Sequence, residues 1–262
     1  MLSVKNIHKS FGGLKALNGV SIEVEGHSIT GLVGPNGSGK TTLFNVISGF
    51  YRKDNGEIAF NGEKIDGLSP SDRAKRGLSR TFQVSKAPAR MTVLENMLLA
   101  ARNQIGEEIT GALFKWGRVS GAERVNFKKA IELLELVRLT DWGNEYAGNL
   151  SGGQKKLLAL ARTLMADPQL ILLDEPTAGV NPTLTLELLG VIKDLRKKDK
   201  TFLIIEHNMK VISAVCDRVY VLDFGEKIAE GTPEEIQRNE KVLKAYLSGK
   251  AWRETDKTEP VS

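Results

Sequence analysis

The sequence predicts an α/β fold with a mostly parallel sheet. Short β-rich segments alternate with helical patterns over most of the chain, which is typical of parallel strands joined by helices. The clearest strands are Ile29–Val33, Leu170–Leu173, Phe202–Ile205 and Val219–Leu222. The last three are continuous apolar runs, as expected for strands that are covered on both faces. These three strands and the first one therefore predict the core of the fold.

The N-terminal segments predict a small antiparallel β addition to this core. Leu2–Ile7 and Val20–Val24 both read as strands, and no helical pattern separates them. Two neighbouring strands without a crossover helix pair in the antiparallel sense. We therefore expect a short antiparallel sheet before Ile29.

Residues 84–149 contain no convincing strand and predict an inserted helical subdomain. Thr92 and Glu95 have the spacing of a capping box, and Ser120 and Glu123 repeat it before a longer helix. Between the two helices we expect a glycine-punctuated loop, residues 104–119, which carries Trp116. In the second helix Phe127, Ile131 and Leu134 share one face, with Ala130 and Val137 beside it.

Composition excludes several classes of protein. The 262 residues are 41% hydrophobic and carry a net charge of +5. This charge suits an anionic ligand or a membrane-proximal surface, and by itself it does not indicate a nucleic-acid partner. The single cysteine, Cys216, excludes an intrachain disulfide and a cysteine-rich zinc site, and its apolar surroundings predict a core position. No secretory signal and no run of 18 apolar residues is visible, so we expect a cytoplasmic chain that does not span the membrane.

The segment GPNGSGKT, Gly34–Thr41, matches the phosphate-binding loop pattern G-x-x-x-x-G-K-[ST] at every required position. It follows the predicted strand Ile29–Val33 and precedes a helical pattern, which is the context that such a loop requires. Glycine lets successive backbone N–H groups face phosphates, Lys40 reaches the β- and γ-phosphates, and the Thr41 hydroxyl is a ligand for Mg²⁺. The predicted ATP-binding residues here are Gly34, Pro35, Asn36, Gly37, Ser38, Gly39, Lys40, Thr41 and Thr42.

The segment LILLDEP, Leu170–Pro176, delivers two carboxylates to the end of a buried strand. Sites of α/β proteins lie at the carboxyl ends of their strands. We expect Asp174 to bind Mg²⁺ and Glu175 to polarise the attacking water.

With these two elements in place, the chain resembles the ATP-binding subunits of ABC (ATP-binding cassette) transporters. The segment LSGGQ, Leu150–Gln154, is the signature of that family, and the resemblance extends from about Leu2 to Leu247. It implies a P-loop ATPase and a second ABC ATPase subunit packed head to tail, so that each ATP lies between one phosphate loop and the partner's signature. The signature residues expected to contact that nucleotide are Ser151, Gly152, Gly153 and Gln154.

The resemblance also implies roles for residues that carry no clear signal by themselves. Gln83 matches a glutamine that binds Mg²⁺ and water, and His207 matches a histidine that contacts the γ-phosphate. Phe11 stands where the family, more often with tyrosine, stacks an aromatic ring on adenine. Asn181 replaces an aspartate that is usual in the family. The segment Val84–Met91 is expected to receive a cytoplasmic helix of a membrane permease.

The resemblance implies one ABC ATPase domain over residues 1–247. Its core is expected to comprise residues 1–83 and 150–247, its helical subdomain residues 84–149, and a polar tail is expected to follow at residues 248–262.

Several segments resemble one subfamily, the ATP-binding subunit of branched-chain amino-acid importers. These segments are FGGLKALNGVS, IIEHNM and LDFGEKIAEGTPEEI. Such a subunit pairs with a second ATPase and two integral membrane permeases at the cytoplasmic face of the membrane, and a solute-binding protein delivers the substrate from outside. The ATPases of urea or polar-solute importers and of lipopolysaccharide exporters resemble this pattern too. Non-transport ABC ATPases are disfavoured because the chain has no extended heptad run and only one phosphate loop.

Overall fold

The computed structural model describes residues 1–81, 87–101 and 116–246. They pack as two compact units. The first contains Met1–Ser79, Gln169–Pro176 and the described residues from Lys193 onward; the second contains Arg80–Pro168 and Thr177–Ile192. The domain limits predicted from the sequence stay a prediction, and the polar tail lies outside the described residues.

The strands form two sheets. Those of the first sheet are β1 (Leu2–Phe11), β2 (Leu14–Val24), β4 (Asn55–Phe60) and β5 (Glu63–Lys64). Those of the second are β3 (Ile29–Val33), β6 (Leu78–Arg80), β7 (Leu170–Asp174), β8 (Thr201–Ile205), β9 (Arg218–Asp223) and β10 (Glu226–Gly231). The first sheet has the order β2-β1-β4-β5, and its paired strands are antiparallel.

The second sheet has the order β10-β9-β3-β8-β7-β6. Strands β9, β3, β8 and β7 pair in parallel, and β10 pairs with β9 in the antiparallel sense. In register, Leu32 lies beside Ile205 and Ile205 beside Asp174, so β3, β8 and β7 end at one edge of the sheet. The predicted α/β class with a mostly parallel sheet and an N-terminal antiparallel addition is confirmed.

The described residues form α-helices in both units. In chain order they are α1 (Lys40–Ile47), α2 (Pro70–Lys75), α3 (Val93–Leu99), α4 (Trp116–Leu136), α5 (Gly152–Leu164), α6 (Pro182–Lys197), α7 (Met209–Val215) and α8 (Pro233–Arg238). Residues 240–246 are also helical. Within the described residues, no helix combines the length and the apolar character needed to cross a membrane.

The core of the first unit lies between its two sheets. Buried side chains of β1, β2 and β4 share one apolar cluster with those of β7, β8 and β9, and α1 contributes Leu43, Phe44, Val46 and Ile47 to it. Helix α1 thus buries one face in this cluster while its first residue, Lys40, stays at the end of β3. Cys216 is buried, as predicted, and burial raises the pKa of its thiol to about 12.

In the second unit one predicted capping box is present and the other is wrong. The Thr92 hydroxyl accepts a hydrogen bond from the Glu95 amide, and the Glu95 carboxylate accepts one from the Thr92 amide. Helix α4, however, begins at Trp116 and runs through Ser120. Ser120 is therefore inside the helix, since the same spacing of serine and glutamate also occurs within helices. The predicted loop ends earlier than expected, and residues 102–115 lie outside the described residues.

The buried face of α4 also differs from the predicted one. Ala130 and Leu134 of α4 are buried, as is Val137 just after the helix, whereas Ile131 is half-buried and Phe127 is 48% exposed. The buried stripe is therefore shifted around the helix relative to the predicted face, so that Ala130 takes the place expected for Phe127.

The buried side chain of Arg73 caps the C-terminal end of α1. Its guanidinium is 3% exposed and donates hydrogen bonds to the carbonyl groups of Val46 and Ile47 at 2.8 and 2.6 Å, and to those of Asp66 and Leu68 at 3.2 Å each. The last carbonyl groups of a helix receive no hydrogen bond from within the helix and need donors from elsewhere. Burial lowers the pKa of Arg73, and Asp66 opposes that shift.

Replacing Arg73 by methionine should lower the free energy of unfolding by about 3 kcal/mol, because buried carbonyl groups would lose their donors. Chemical denaturation monitored by circular dichroism measures this. Arg76→Met is the matched control: Arg76 is 43% exposed and pairs with Glu63 at the surface, so its loss should cost less than about 1 kcal/mol. Equal losses in the two variants would contradict the capping role of Arg73.

Candidate active site

The phosphate-binding loop is enclosed by backbone atoms. It connects β3 to α1, and its conformation depends on glycine at two places. A Cβ on Gly34, whose φ is 148°, would lie 2.1 Å from the Leu222 carbonyl oxygen, and one on Gly39, at φ 100°, would lie 2.6 Å from that of Ala16. Backbone atoms cannot move aside as a flexible side chain can. The loop therefore approaches its neighbours more closely than any other residue type allows.

Lys40, the first residue of α1, is held inside the loop. Its ammonium group donates to the carbonyl oxygens of Gly34 at 2.9 Å and Pro35 at 2.7 Å, and to Ser38 Oγ at 3.3 Å. Burial lowers the pKa of Lys40, while the nearby carboxylates of Glu175 and Asp174 act in the opposite direction. The lysine and the two acids of the separate LLDEP segment thus share one site.

The remaining residues of the loop differ in exposure. Asn36, Gly37 and Thr41 are exposed, Thr42 is half-buried, and Ser38 is 2% exposed. Exposed amide and hydroxyl groups next to a helix N-terminus are suited to bind anions, because the first N–H groups of a helix have no partner within it.

The two acidic residues leave β7 in different environments. Asp174 ends the strand and is 6% exposed. Glu175 follows with φ 46°, a left-handed conformation that is strained for a glutamate, and its amide donates to the Ile205 carbonyl of β8 at 3.0 Å. Its side chain is 30% exposed. The buried acid is thus fixed by the strand, and the strained one reaches toward solvent.

His207 lies beside Glu175. It follows β8 by two residues, its side chain is 58% exposed, and its Nδ1 atom lies 3.9 Å from Glu175 Oε1. Because β7 and β8 are parallel neighbours in register, the residues after both strands meet at one edge. The structure therefore brings His207 to the carboxylates at the end of β7, and those carboxylates lie near Lys40.

The signature segment opens helix α5 in the second unit. Ser151 Oγ accepts a hydrogen bond from the Gln154 amide at 3.3 Å, and Gln154 Oε1 accepts one from the Ser151 amide at 2.9 Å. This capping box leaves the first-turn amides of Gly152 and Gly153 directed along the helix axis. The arrangement is that of a helix N-terminus prepared to receive an anion.

Gly153 of the signature segment and Asn181 before α6 both make close contacts with Leu184. A Cβ on Gly153 would lie 2.7 Å from the Leu184 side chain, so the glycine also permits close packing. Asn181 Oδ1 accepts a hydrogen bond from the Leu184 amide at 2.9 Å at the start of α6. Asparagine caps a helix as well as aspartate does, so this departure from the family pattern keeps the cap and removes a charge.

Phe11 ends β1 and is 45% exposed. The ring of Tyr51 meets it edge-on at a centroid distance of 5.3 Å, and the Lys9 ammonium lies 5.3 Å from its centre. No signal in the sequence marks Tyr51, because only the tertiary fold brings it to Phe11. Gln83 and residues 84–86 lie outside the described residues.

Replacing Gly34 by alanine should destabilise the protein by more than about 3 kcal/mol, because the new Cβ meets a backbone oxygen. Gly37→Ala is the control. Gly37 has φ 84°, and no atom lies within 4 Å of the position that a Cβ would take there, so only backbone strain of about 1–2 kcal/mol is expected. Denaturation of both variants measures the difference, and similar losses would show that the close approach at Gly34 does not constrain the loop.

Comparison with known proteins identifies the family. A family model described as "ABC transporter" matches residues 17–178, and one described as "Branched-chain amino acid ATP-binding cassette transporter" matches residues 226–247. The chain is 44% identical over 247 residues to a probable branched-chain amino acid transport ATP-binding protein LivG of Archaeoglobus fulgidus, covering 94% of this chain and 95% of that one. It is 41% identical over 248 residues to the high-affinity branched-chain amino acid transport ATP-binding protein BraF of Pseudomonas aeruginosa, covering 94% and 97%.

Solved structures agree. The fold is similar to a nucleotide-free ATP-binding cassette from an ABC transporter, with a TM-score of 0.82, 39% identity and coverage of 94% of this chain and 98% of that one. A dimeric bacterial ABC transporter cassette is similar with a TM-score of 0.73 and 26% identity, covering 89% and 99%. The resemblance inferred from LSGGQ is thereby confirmed, and the chain belongs to the ABC transporter family as one of its ATP-hydrolysing cassettes.

Proposed function

We propose that this chain powers the import of branched-chain amino acids by closing on ATP together with a second cassette. The observation that supports the ATPase part most directly is the cluster of Lys40, Asp174, Glu175 and His207 at the end of one parallel sheet. The proposal that the substrates are branched-chain amino acids is supported by the two relatives and by the family match at residues 226–247.

The residues of the first unit have separate roles in this proposal. The amides of the phosphate loop and the Lys40 ammonium hold the β- and γ-phosphates. Glu175 accepts the proton of the attacking water, and its exposed carboxylate lies near enough to His207 for both to face one phosphate. His207 contacts the γ-phosphate and orients it. Phe11, with Tyr51 at its edge, stacks on adenine.

ATP enters as its Mg²⁺ complex. Thr41 offers a hydroxyl and Asp174 a carboxylate, and oxygen donors of this kind are the ligands that Mg²⁺ prefers. Gln83 is the third proposed ligand. When bound at these residues, the cation would offset the negative charge of the phosphates and of the leaving group.

The signature supports a dimer. A helix N-terminus with two glycines binds an anion, yet the phosphate loop of the same chain already holds the nucleotide. Ser151, Gly152, Gly153 and Gln154 therefore contact the ATP of a second ABC ATPase subunit. The same arrangement occurs in reverse, so each ATP is enclosed by two chains.

The partners beyond that subunit follow from the proposed import. They are two integral membrane permeases, which bind near Val84–Met91, and, indirectly, a solute-binding protein that supplies the amino acid. The chain is located at the cytoplasmic face of the membrane. Import of urea or another polar solute is the alternative, with export of lipopolysaccharide behind it.

Replacing Glu175 by glutamine should retain ATP binding and reduce hydrolysis by about 10²–10⁴-fold, because the base is lost. Light scattering in the presence of Mg²⁺ and ATP should then show a stable dimer, either of this chain or with its partner ATPase. A variant that stays monomeric under both conditions argues against the two-cassette model.

Replacing Lys40 by alanine should weaken ATP binding by about 10- to 150-fold through the loss of a charge-assisted contact. Equilibrium binding of a fluorescent ATP analogue measures this. Lys64→Ala, which removes an ammonium that is 67% exposed, is the control and should bind like the parent. Unchanged binding by the Lys40 variant would remove the lysine from the site.

The substrate is tested by purifying the chain with its partners in mild detergent from its own membranes. We expect two permeases and a second cassette ATPase, and the complex in vesicles should take up leucine, isoleucine and valine on addition of ATP. Uptake of urea alone would shift the assignment to the alternative, and recovery of an exporter pair would overturn import.

A further inference from the structure

The described residues bury two carboxylates, and one of them has no role in the function proposed above. Asp174 is 6% exposed and belongs to the nucleotide site. Glu206 is 0% exposed and lies between the end of β8 and His207. A buried carboxylate is costly unless it interacts with donors or positive charge. Its neighbours therefore indicate what it does.

Glu206 contacts the histidine that follows it at two points. Its Oε2 atom accepts a hydrogen bond from the backbone amide of His207 at 3.3 Å. The same oxygen lies 4.0 Å from His207 Nδ1. One buried oxygen thus accepts a hydrogen bond from the backbone of His207 and lies within ion-pair distance of its ring.

A second carboxylate faces the same ring nitrogen. Glu175 Oε1 lies 3.9 Å from Nδ1, against 4.0 Å for Glu206 Oε2. Two negative oxygens at nearly equal distance favour a hydrogen on Nδ1 and turn that side of the ring toward the protein. The other nitrogen, Nε2, is then left to face the phosphate.

The two carboxylates differ in freedom. The side chain of Glu175 is 30% exposed, so water also reaches its carboxylate. Glu206 is enclosed, and its own amide reaches the Leu32 carbonyl of β3 at 3.4 Å. Of the two carboxylates, Glu206 is therefore the one whose position relative to the His207 ring is more restricted. In the same core the carboxylate also lies near the Cys216 thiol and contributes to its raised pKa, after burial and Asp217.

A phosphate oxygen accepts hydrogen bonds, so His207 must present an N–H to it. When Nδ1 and Nε2 both carry hydrogen, the ring is positively charged, and two carboxylates beside Nδ1 balance that charge. Carboxylates placed behind histidine rings are used in this way at other sites, where they set the tautomer and the ring orientation.

We propose that Glu206 is a positioning residue for the ATPase reaction, which keeps a hydrogen on Nδ1 of His207 and fixes the ring so that Nε2 meets the γ-phosphate. The proposal rests on the role of His207 given above. It adds a residue that is fully buried behind the ring of His207.

Nitrogen-15 NMR of the imidazole groups tests this directly. The chain has three histidines, so His8 and His27 serve as internal references and His207→Ala assigns the third set of resonances. Glu206→Gln keeps the size of the side chain and removes its charge. We expect the Nδ1 resonance of His207 to move while those of His8 and His27 stay in place.

Kinetics supplies the second readout. In Glu206→Gln we expect kcat to fall by about tenfold, as when carboxylates behind metal-bound histidines are removed, with KM for ATP changed by less than about twofold. The double variant with His207→Ala should be no slower than His207→Ala alone, because both changes act through one ring.

Thr201→Val controls for the removal of any buried polar group from β8. Thr201 is 0% exposed at the opposite end of the strand, so this variant should melt earlier yet keep the His207 resonances and kcat. Glu206→Asp retains the negative charge and should therefore be faster than Glu206→Gln. This comparison separates loss of the charge from poor folding of the glutamine variant.

The outcomes separate the two proposals. Unmoved His207 resonances in Glu206→Gln, or additive losses in the double variant, overturn the role of Glu206. If His207→Ala hydrolyses ATP at the parent rate, the role of His207 in the proposed function fails instead, whatever Glu206→Gln does to the resonances.

Discussion

The phosphate loop depends on being held between backbone atoms of both sheets of the first unit. The Leu222 carbonyl at the end of β9 lies against Gly34, and the Ala16 carbonyl in β2 lies against Gly39. The turn after β9 adds a hydrogen bond from the Gly225 amide to the Ser38 carbonyl at 3.1 Å. The loop can therefore take its shape only when the antiparallel sheet and the parallel sheet are both assembled, although its motif is local in sequence.

Parallel pairing accounts for the rest of the site. Because β7 and β8 run side by side in register, Glu175 and His207 meet although 31 positions of chain lie between them. Each strand needs only to end with the right residue. The left-handed backbone at Glu175 shows that this placement is strained, and such strain is typical of sites whose surroundings over-determine a conformation.

The sequence was informative where a signal is local. Continuous apolar runs predicted β7, β8 and β9, and the glycine-rich loop and LLDEP each indicated a candidate site from a short stretch of sequence. Strands β4 and β10 were missed because each has only two or three apolar residues, which are adjacent and flanked by polar ones, so neither a continuous apolar run nor an alternation marks the strand. The capping pattern at Ser120 was misleading, since a serine and a glutamate three residues apart are equally compatible with the middle of a helix.

Contacts made by the tertiary fold could not be predicted. Nothing near Tyr51 in the sequence indicates that it meets Phe11, and nothing near Leu222 indicates that it limits Gly34. Glu206 was visible in the segment IIEHNM, but a glutamate before a histidine has no meaning until burial distinguishes it from a surface charge.

The position of Lys40 has a further consequence for how the loop meets its ligand. Its ammonium group already donates to three oxygen atoms of the loop. These hydrogen bonds stabilise the curved backbone of the loop. In the proposed function a phosphate group would compete for this side chain and replace neutral oxygens with charged ones. The side chain that would have to move is flexible, whereas Gly34 and Gly39 are confined by the backbone atoms around them. The same lysine thus also stabilises the shape of the phosphate loop.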